Sequence, residues 1–198
     1  MEAKSDRTRR LIIEKASSLF NRKGYHGTSM SDIMEVTGLA KGGLYGHFKS
    51  KDEIIAEAFE FAFYKVMDEL AVRVRSKETA PEKIDAIIEY YALHLHLSTV
   101  EGGCPILNYT SHSMEALPSL SKLLSKAAKS MLESLERIIV KGQKYAQLRA
   151  DLDPAEQAAL IYSRIEGALM LSKATKDTGM LARLLEALRR DIRRDLLP

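Results

Sequence analysis

The chain has 198 residues, with 30 Lys and Arg against 27 Asp and Glu and a formal net charge of +3, enough for a small domain beside a larger one with its own core. It contains no apolar run of the roughly 18 residues that a transmembrane helix needs. The single cysteine excludes a disulfide framework, and with no signal-peptide pattern in the polar first residues a cytoplasmic protein is expected.

Residues 6–23 place Ile12, Ala16, Leu19 and Phe20 on one helical face and close on Arg22, Lys23 and Gly24, a cationic last turn and a stop. Residues 28–51 read as two short helices around a tight turn. Ser29 and Asp32 have capping-box spacing, Ile33 and Val36 supply a buried stripe, and Gly38 offers the left-handed residue that ends the first helix. Leu39 plugs the turn. Leu44 and Phe48, four apart, face inward and leave Lys41, Tyr45 and His47 outside, while Ser50 caps the next helix ahead of Lys51. This is the layout of a helix-turn-helix, whose second helix enters the DNA major groove. Charge agrees: residues 1–51 hold ten Lys and Arg against five acids, whereas the remainder holds 20 against 22.

A long helix is expected over 51–75, with Phe59, Phe61, Phe63, Tyr64 and Met67 pointing several ways. A connector covers 76–80, and Pro81 opens a helix over 81–97. A loop containing Gly102, Gly103, Cys104 and Pro105 follows, then a short helix over 106–113 and a long one over 118–148. Asp153, Pro154 and Glu156 form a cap, a first-turn Pro and an acid, starting a helix that runs to about residue 174. The last helix, 180–197, carries Leu181, Leu184, Leu185, Leu188, Ile192 and Leu196. No strand alternation is present, so the fold class is all-α: a helix-turn-helix domain over 1–50 and a larger helical ligand-binding and dimerisation domain over 51–198.

Segment 5–55 resembles the DNA-binding domain of the TetR family of transcriptional regulators. Thr28, Ile33, Gly38, Gly42, Leu44, Tyr45, His47, Phe48, Lys51 and Ile54 meet that family's motif at its fixed spacing, while Ala40 stands where a capping Ser is usual. The resemblance implies a homodimeric regulator, most often a repressor, that binds a palindromic operator and is released by a small-molecule effector. DNA contacts are expected from Thr28, Ser29, Lys41, Tyr45, His47 and Lys51, with Gly42 and Gly43 letting the backbone approach the duplex.

The resemblance further implies a four-helix dimer interface built from the last two helices, here from Ala155, Ala159, Ile165, Gly167, Leu169, Leu184, Leu188 and Ile192. It implies an effector chamber too, of the mostly apolar kind with a few placed polar groups. Tyr90 and His94 share a helical face, as do Asn108 and His112. With Phe59, Phe63, Cys104 and Tyr109 these form the expected wall, and Met131, Tyr162 and Glu166 its far side. Cys104 also raises an alternative, because a loop thiol ahead of a helix N-terminus has its pKa lowered and could sense oxidants or electrophiles. The Gly-Cys-Pro run resembles a loop of one subset of the family.

No cofactor or metal is expected. His94 and His96, two apart on a helix, point in opposed directions and cannot share one ion. The competing class, a small helical enzyme, lacks a nucleophile elbow, a carboxylate pair beside a His, and a phosphate-binding glycine loop preceded by a strand.

Overall fold

The computed structural model describes residues 4–97, 100–113 and 117–198, without the side chains of residues 4, 94–97, 112, 113 and 178. The described residues form helices only: α1 (Lys4–Lys23), α2 (Met30–Thr37), α3 (Lys41–Tyr45), α4 (Lys51–Arg75), α5 (Ala80–Leu97), α6 (Pro105–Ser113), α7 (Pro118–Lys144), α8 (Pro154–Thr175) and α9 (Thr178–Asp195). None is long and apolar enough to cross a membrane. The chain divides into two compact units, Met1–Val66 with Thr99–Ala127 and Met67–Ser98 with Ala128–Pro198.

The first unit is built by local chemistry at its helix ends. Ser29 is extended and its hydroxyl accepts from the Asp32 N–H at 3.1 Å, while the Asp32 carboxylate accepts from the Ser29 N–H at 2.7 Å. This reciprocal cap satisfies two amides that α2 would otherwise leave unpaired. Gly38, at φ +68°, ends α2 in a conformation that costs an L side chain strain. At the start of α4 the Ser50 hydroxyl accepts from the Glu53 N–H at 3.3 Å, and the Glu53 carboxylate reaches one residue further back to accept from the Lys49 N–H at 2.9 Å. Ile12, Phe20, Ile33, Leu44, Phe48, Ile54 and Phe59 are buried in this unit's core. At about 1.5–3 kcal/mol for each fully buried large apolar side chain, that core dominates its stability. Val36, expected in the buried stripe, is 38 % exposed instead, and Ile33 is the residue of α2 that is buried.

In the second unit α5, α8 and α9 pack on one another. Asp153 caps α8 by accepting from Ala155 and Glu156 N–H at 2.8 and 3.3 Å, and Asp177 caps α9 by accepting from Met180 N–H at 3.0 Å. The expected interface residues divide. Ile165, Leu169, Leu188 and Ile192 are buried within the single chain, so they fill its own core and do not await a partner. Ala155, Ala159 and Leu184 are exposed and Gly167 is half-buried. Next to them Leu160, Met170 and Leu171 are 47, 51 and 44 % exposed. Ala159 and Leu160 lie about two turns from Gly167, Met170 and Leu171 on one side of α8, an outward apolar stripe with Ser163 and Arg164 exposed between its two ends.

Candidate nucleic-acid interface and ligand site

α3 holds five residues and presents its polar edge outward. Leu44 is fully buried, whereas Lys41, Gly42, Gly43 and Tyr45 are exposed and His47 is half-buried. The Lys41 ammonium lies 5.9 Å from the Tyr45 ring centroid, so cation and phenol form one face. Ala40 contributes no side-chain cap to α3, and its carbonyl accepts from the Gly43 and Leu44 N–H at 2.9 and 3.2 Å. Cβ atoms built on Gly42 would meet nothing within 4 Å, and on Gly43 only the Leu39 side chain at 3.6 Å. The fold therefore imposes glycine at neither position, and an external surface coming close to the backbone is what their bareness suits.

Two of the expected DNA contacts are turned inward. Thr28 is 1 % exposed and its hydroxyl donates to the Gly24 carbonyl at 2.8 Å, which closes the end of α1 rather than facing a phosphate. The Lys51 ammonium donates to the Tyr25 and Thr28 carbonyls at 2.7 and 2.9 Å and sits 3.9 Å from the Tyr25 ring. It ties the connection between α1 and α2 to the start of α4. Ser29 is exposed, with its hydroxyl engaged in the α2 cap. Hydrogen bonds from the Ser29 hydroxyl and amide, with Lys23 at 3.2 Å, hold the Asp32 carboxyl down at about 2.

Arg9 is a residue the sequence did not single out. Its guanidinium lies 4.1 Å from the Phe48 ring, donates to the His47 carbonyl at 2.7 Å, pairs with Glu57 and reaches Glu53 at 3.5 Å. One side chain of α1 thus fixes the segment behind α3 against the first turns of α4. Only the Arg-rich start of α1 hinted at it, and nothing local distinguishes Arg9 from Arg7 or Arg10.

The Gly-Cys-Pro loop belongs to the same unit and serves as a buried latch. Asn21 of α1, fully buried, donates to the Glu101 and Gly103 carbonyls at 2.8 and 2.9 Å. Asn108 of α6 donates to the Asn21 side-chain oxygen at 3.2 Å and to the Gly102 carbonyl at 2.7 Å. Gly102, at φ +107°, brings its backbone so near α1 that a Cβ there would lie 2.9 Å from the Asn21 carbonyl oxygen. The expectations for two residues change accordingly. Asn108 spends its amide on the latch rather than lining a chamber, and Cys104 is 3 % exposed, so its thiol is not open to solvent as expected. Tyr109 is also core: its hydroxyl donates to the Ser17 carbonyl at 3.3 Å, its ring lies 5.2 Å from Phe59, and burial pushes its phenol well above the usual range. Phe59 and Phe63 stack at 6.1 Å in the same unit.

Of the remaining expected chamber residues, His112 falls in the first unit and Tyr90, His94, Met131, Tyr162 and Glu166 in the second. Tyr90 is buried and donates to the Glu69 carboxylate at 3.1 Å, Tyr162 is 7 % exposed, and Glu166 is half-buried. The side chains of His94 and His112 lie outside the described residues. Met131 alone of the expected set lines a cavity of about 690 Å³, bounded by the end of α4, the start of α5 and α7. Leu70, Val74, Ile87, Leu135 and Ile138 form its walls. Its size falls within the roughly 300–1,000 Å³ range of small-molecule sites.

Two family descriptions match the chain. The family described as "Bacterial regulatory proteins, tetR family" matches residues 12–58, and "Tetracyclin repressor-like, C-terminal domain" matches residues 80–188. A TetR transcriptional regulator from Chloroflexus aurantiacus J-10-fl superposes with a TM-score of 0.92 at 31 % identity, covering 98 % of each chain. A TetR-family regulator from Cytophaga hutchinsonii superposes at 0.86 with 32 % identity, covering 96 % of this chain and 95 % of that one. The HTH-type transcriptional repressor DhaR of Mycobacterium sp. (strain GP1) is 22 % identical over 178 residues, 89 % of this chain and 88 % of DhaR.

Proposed function

The chain belongs to the TetR family of bacterial regulatory proteins, DNA-binding transcriptional regulators and not enzymes, and on that premise we propose a homodimeric repressor that leaves a palindromic operator when a small effector binds. The observation that carries the DNA reading is the outward edge of α3, where Lys41, Tyr45 and two sterically unneeded glycines are exposed together. Lys41 and His47 would position the protein on phosphates, Tyr45 would reach base edges, and Gly42 and Gly43 would let the groove wall come close. Thr28 and Lys51 act behind this surface, holding α1 and α4 in place.

Dimerisation is proposed through the α8 stripe with Leu184 of α9, because a two-fold pair would set two copies of α3 about 34 Å apart, one turn of duplex. The effector is proposed to occupy the second unit, where Met131 lines the 690 Å³ cavity. An effector weakens operator binding only through its different affinity for the DNA-competent and DNA-incompetent states, typically about 1–3 kcal/mol of coupling. Such a repressor would work in the cytoplasm, where the operator is. A gel shift on the DNA upstream of its coding region, with and without ligand, tests the proposal. A sequence-selective shift, reversed by ligand while the dimer persists, is expected. Shifting every duplex equally, or dissociation of the dimer by the effector, contradicts it.

A further inference from the structure

The 690 Å³ cavity has walls and a rim of different chemistry. Its walls are apolar, and its rim carries four cations, Arg75, Lys83, Arg137 and Lys141, against one carboxylate, Glu78. Among the described residues, the ion pairing of these cations is confined to Arg137, which meets Glu133 of its own helix at 3.9 Å. Lys83 donates to the backbone carbonyl of Glu78 at 3.1 Å, which leaves its charge uncompensated. Arg75, Arg137 and Lys141 are exposed at the lip and Lys83 is half-buried. An apolar trough is costly to fill with water, and four nearby cations raise the local concentration of anions.

We infer that this cavity binds an anionic amphiphile, with an unbranched apolar tail along Leu70, Val74, Ile87 and Leu135 and a single acidic headgroup among Arg75, Lys83 and Lys141. A neutral tail gains only the walls. A cationic one meets like charge at the rim and is rejected, which gives the site its sign selectivity. The inference deepens the effector reading above and rests on it only for the consequence at DNA.

Calorimetric titration of the full chain with dodecanoate, dodecanol and dodecyltrimethylammonium, each below its micelle concentration, tests this without DNA. Dodecanoate is expected to bind at least about tenfold more tightly than either counterpart, a difference of about 1.4 kcal/mol. Lys141→Glu, an exposed change, should remove most of that preference, and Ala71→Trp, which fills the trough, should abolish binding of all three. Equal affinity for the three headgroups, or dodecanoate binding unaffected by both substitutions, overturns the inference. Loss of sequence-selective DNA binding would instead overturn the regulator reading, so the two failures are separable.

Discussion

Asp32 stays ionised far into acid because its carboxylate accepts from both the hydroxyl and the amide of Ser29, beside Lys23. Its folded pKa of about 2 lies below the free value of about 3.9. The sign is therefore that of a depressed acid: the cap's contribution is fully present above about pH 4 and is lost as pH falls through about 2. Carboxyl NMR titration should place Asp32 near that value, and Ser29→Ala should return it towards the free one. The Asn21 latch makes a second residue-level prediction. Asn21→Ala strands buried carbonyls of the 101–103 loop and the Asn108 amide, and should cost about 1–3 kcal/mol in urea unfolding. Neither role of Thr28 or Lys51 was legible beforehand. A Thr or Lys reads alike whether it faces a phosphate or a carbonyl, and the carbonyls that capture Lys51 lie 23 and 26 residues away.

At the scale of elements, helix starts were readable because capping is local: Ser29 with Asp32, and Asp153 with Pro154, occupy a few consecutive residues and were both found. The end of α7 was not. Residues 145–148 carry helix-forming side chains, yet Gln147 and Leu148 N–H both turn back to the Gly142 carbonyl at 2.8 and 3.2 Å. The Gln147 side chain then accepts from Ala80 N–H at 2.8 Å and, past the end of α7, Arg149 N–H donates to the Leu196 carbonyl at 2.9 Å, bonds that no local window contains. In α3 one substitution should have opposite effects on stability and on DNA binding. Gly42→Ala should stabilise the unbound chain by about 0.5–1 kcal/mol, since the site is open and Gly is a poor helix former. The same change should weaken operator binding about tenfold, within the ~1–3 kcal/mol scale of a lost base contact. Amide exchange over 42–46 should be fast in the unbound protein and slow on the operator, because α3 has five residues and no side-chain cap.

At the scale of the whole molecule, the all-helical plan and a basic helix-turn-helix ahead of a larger helical part were legible from periodicity and charge. The division of apolar residues between core and interface was not. Leucines four apart look the same whether they meet their own chain or another, and Leu188 and Ile192 proved to be core while Leu160, Met170 and Leu171 face out. Leu171→Glu should leave the fold intact, its side chain being 44 % exposed, and convert a dimer into single subunits by sedimentation velocity. Operator affinity should fall with it, because each half-site contact is then made alone.

Hydroxyl-radical footprinting of the protein on the DNA upstream of its coding region shows whether a symmetric pair docks two copies of α3 on one face of the duplex. Two protected patches on one face of the duplex, centred about 34 Å apart, related by a palindrome and lost together in Lys41→Glu, are the predicted result. Protection spread evenly over any fragment, or a single patch left by one subunit and indifferent to Lys41→Glu, would contradict it.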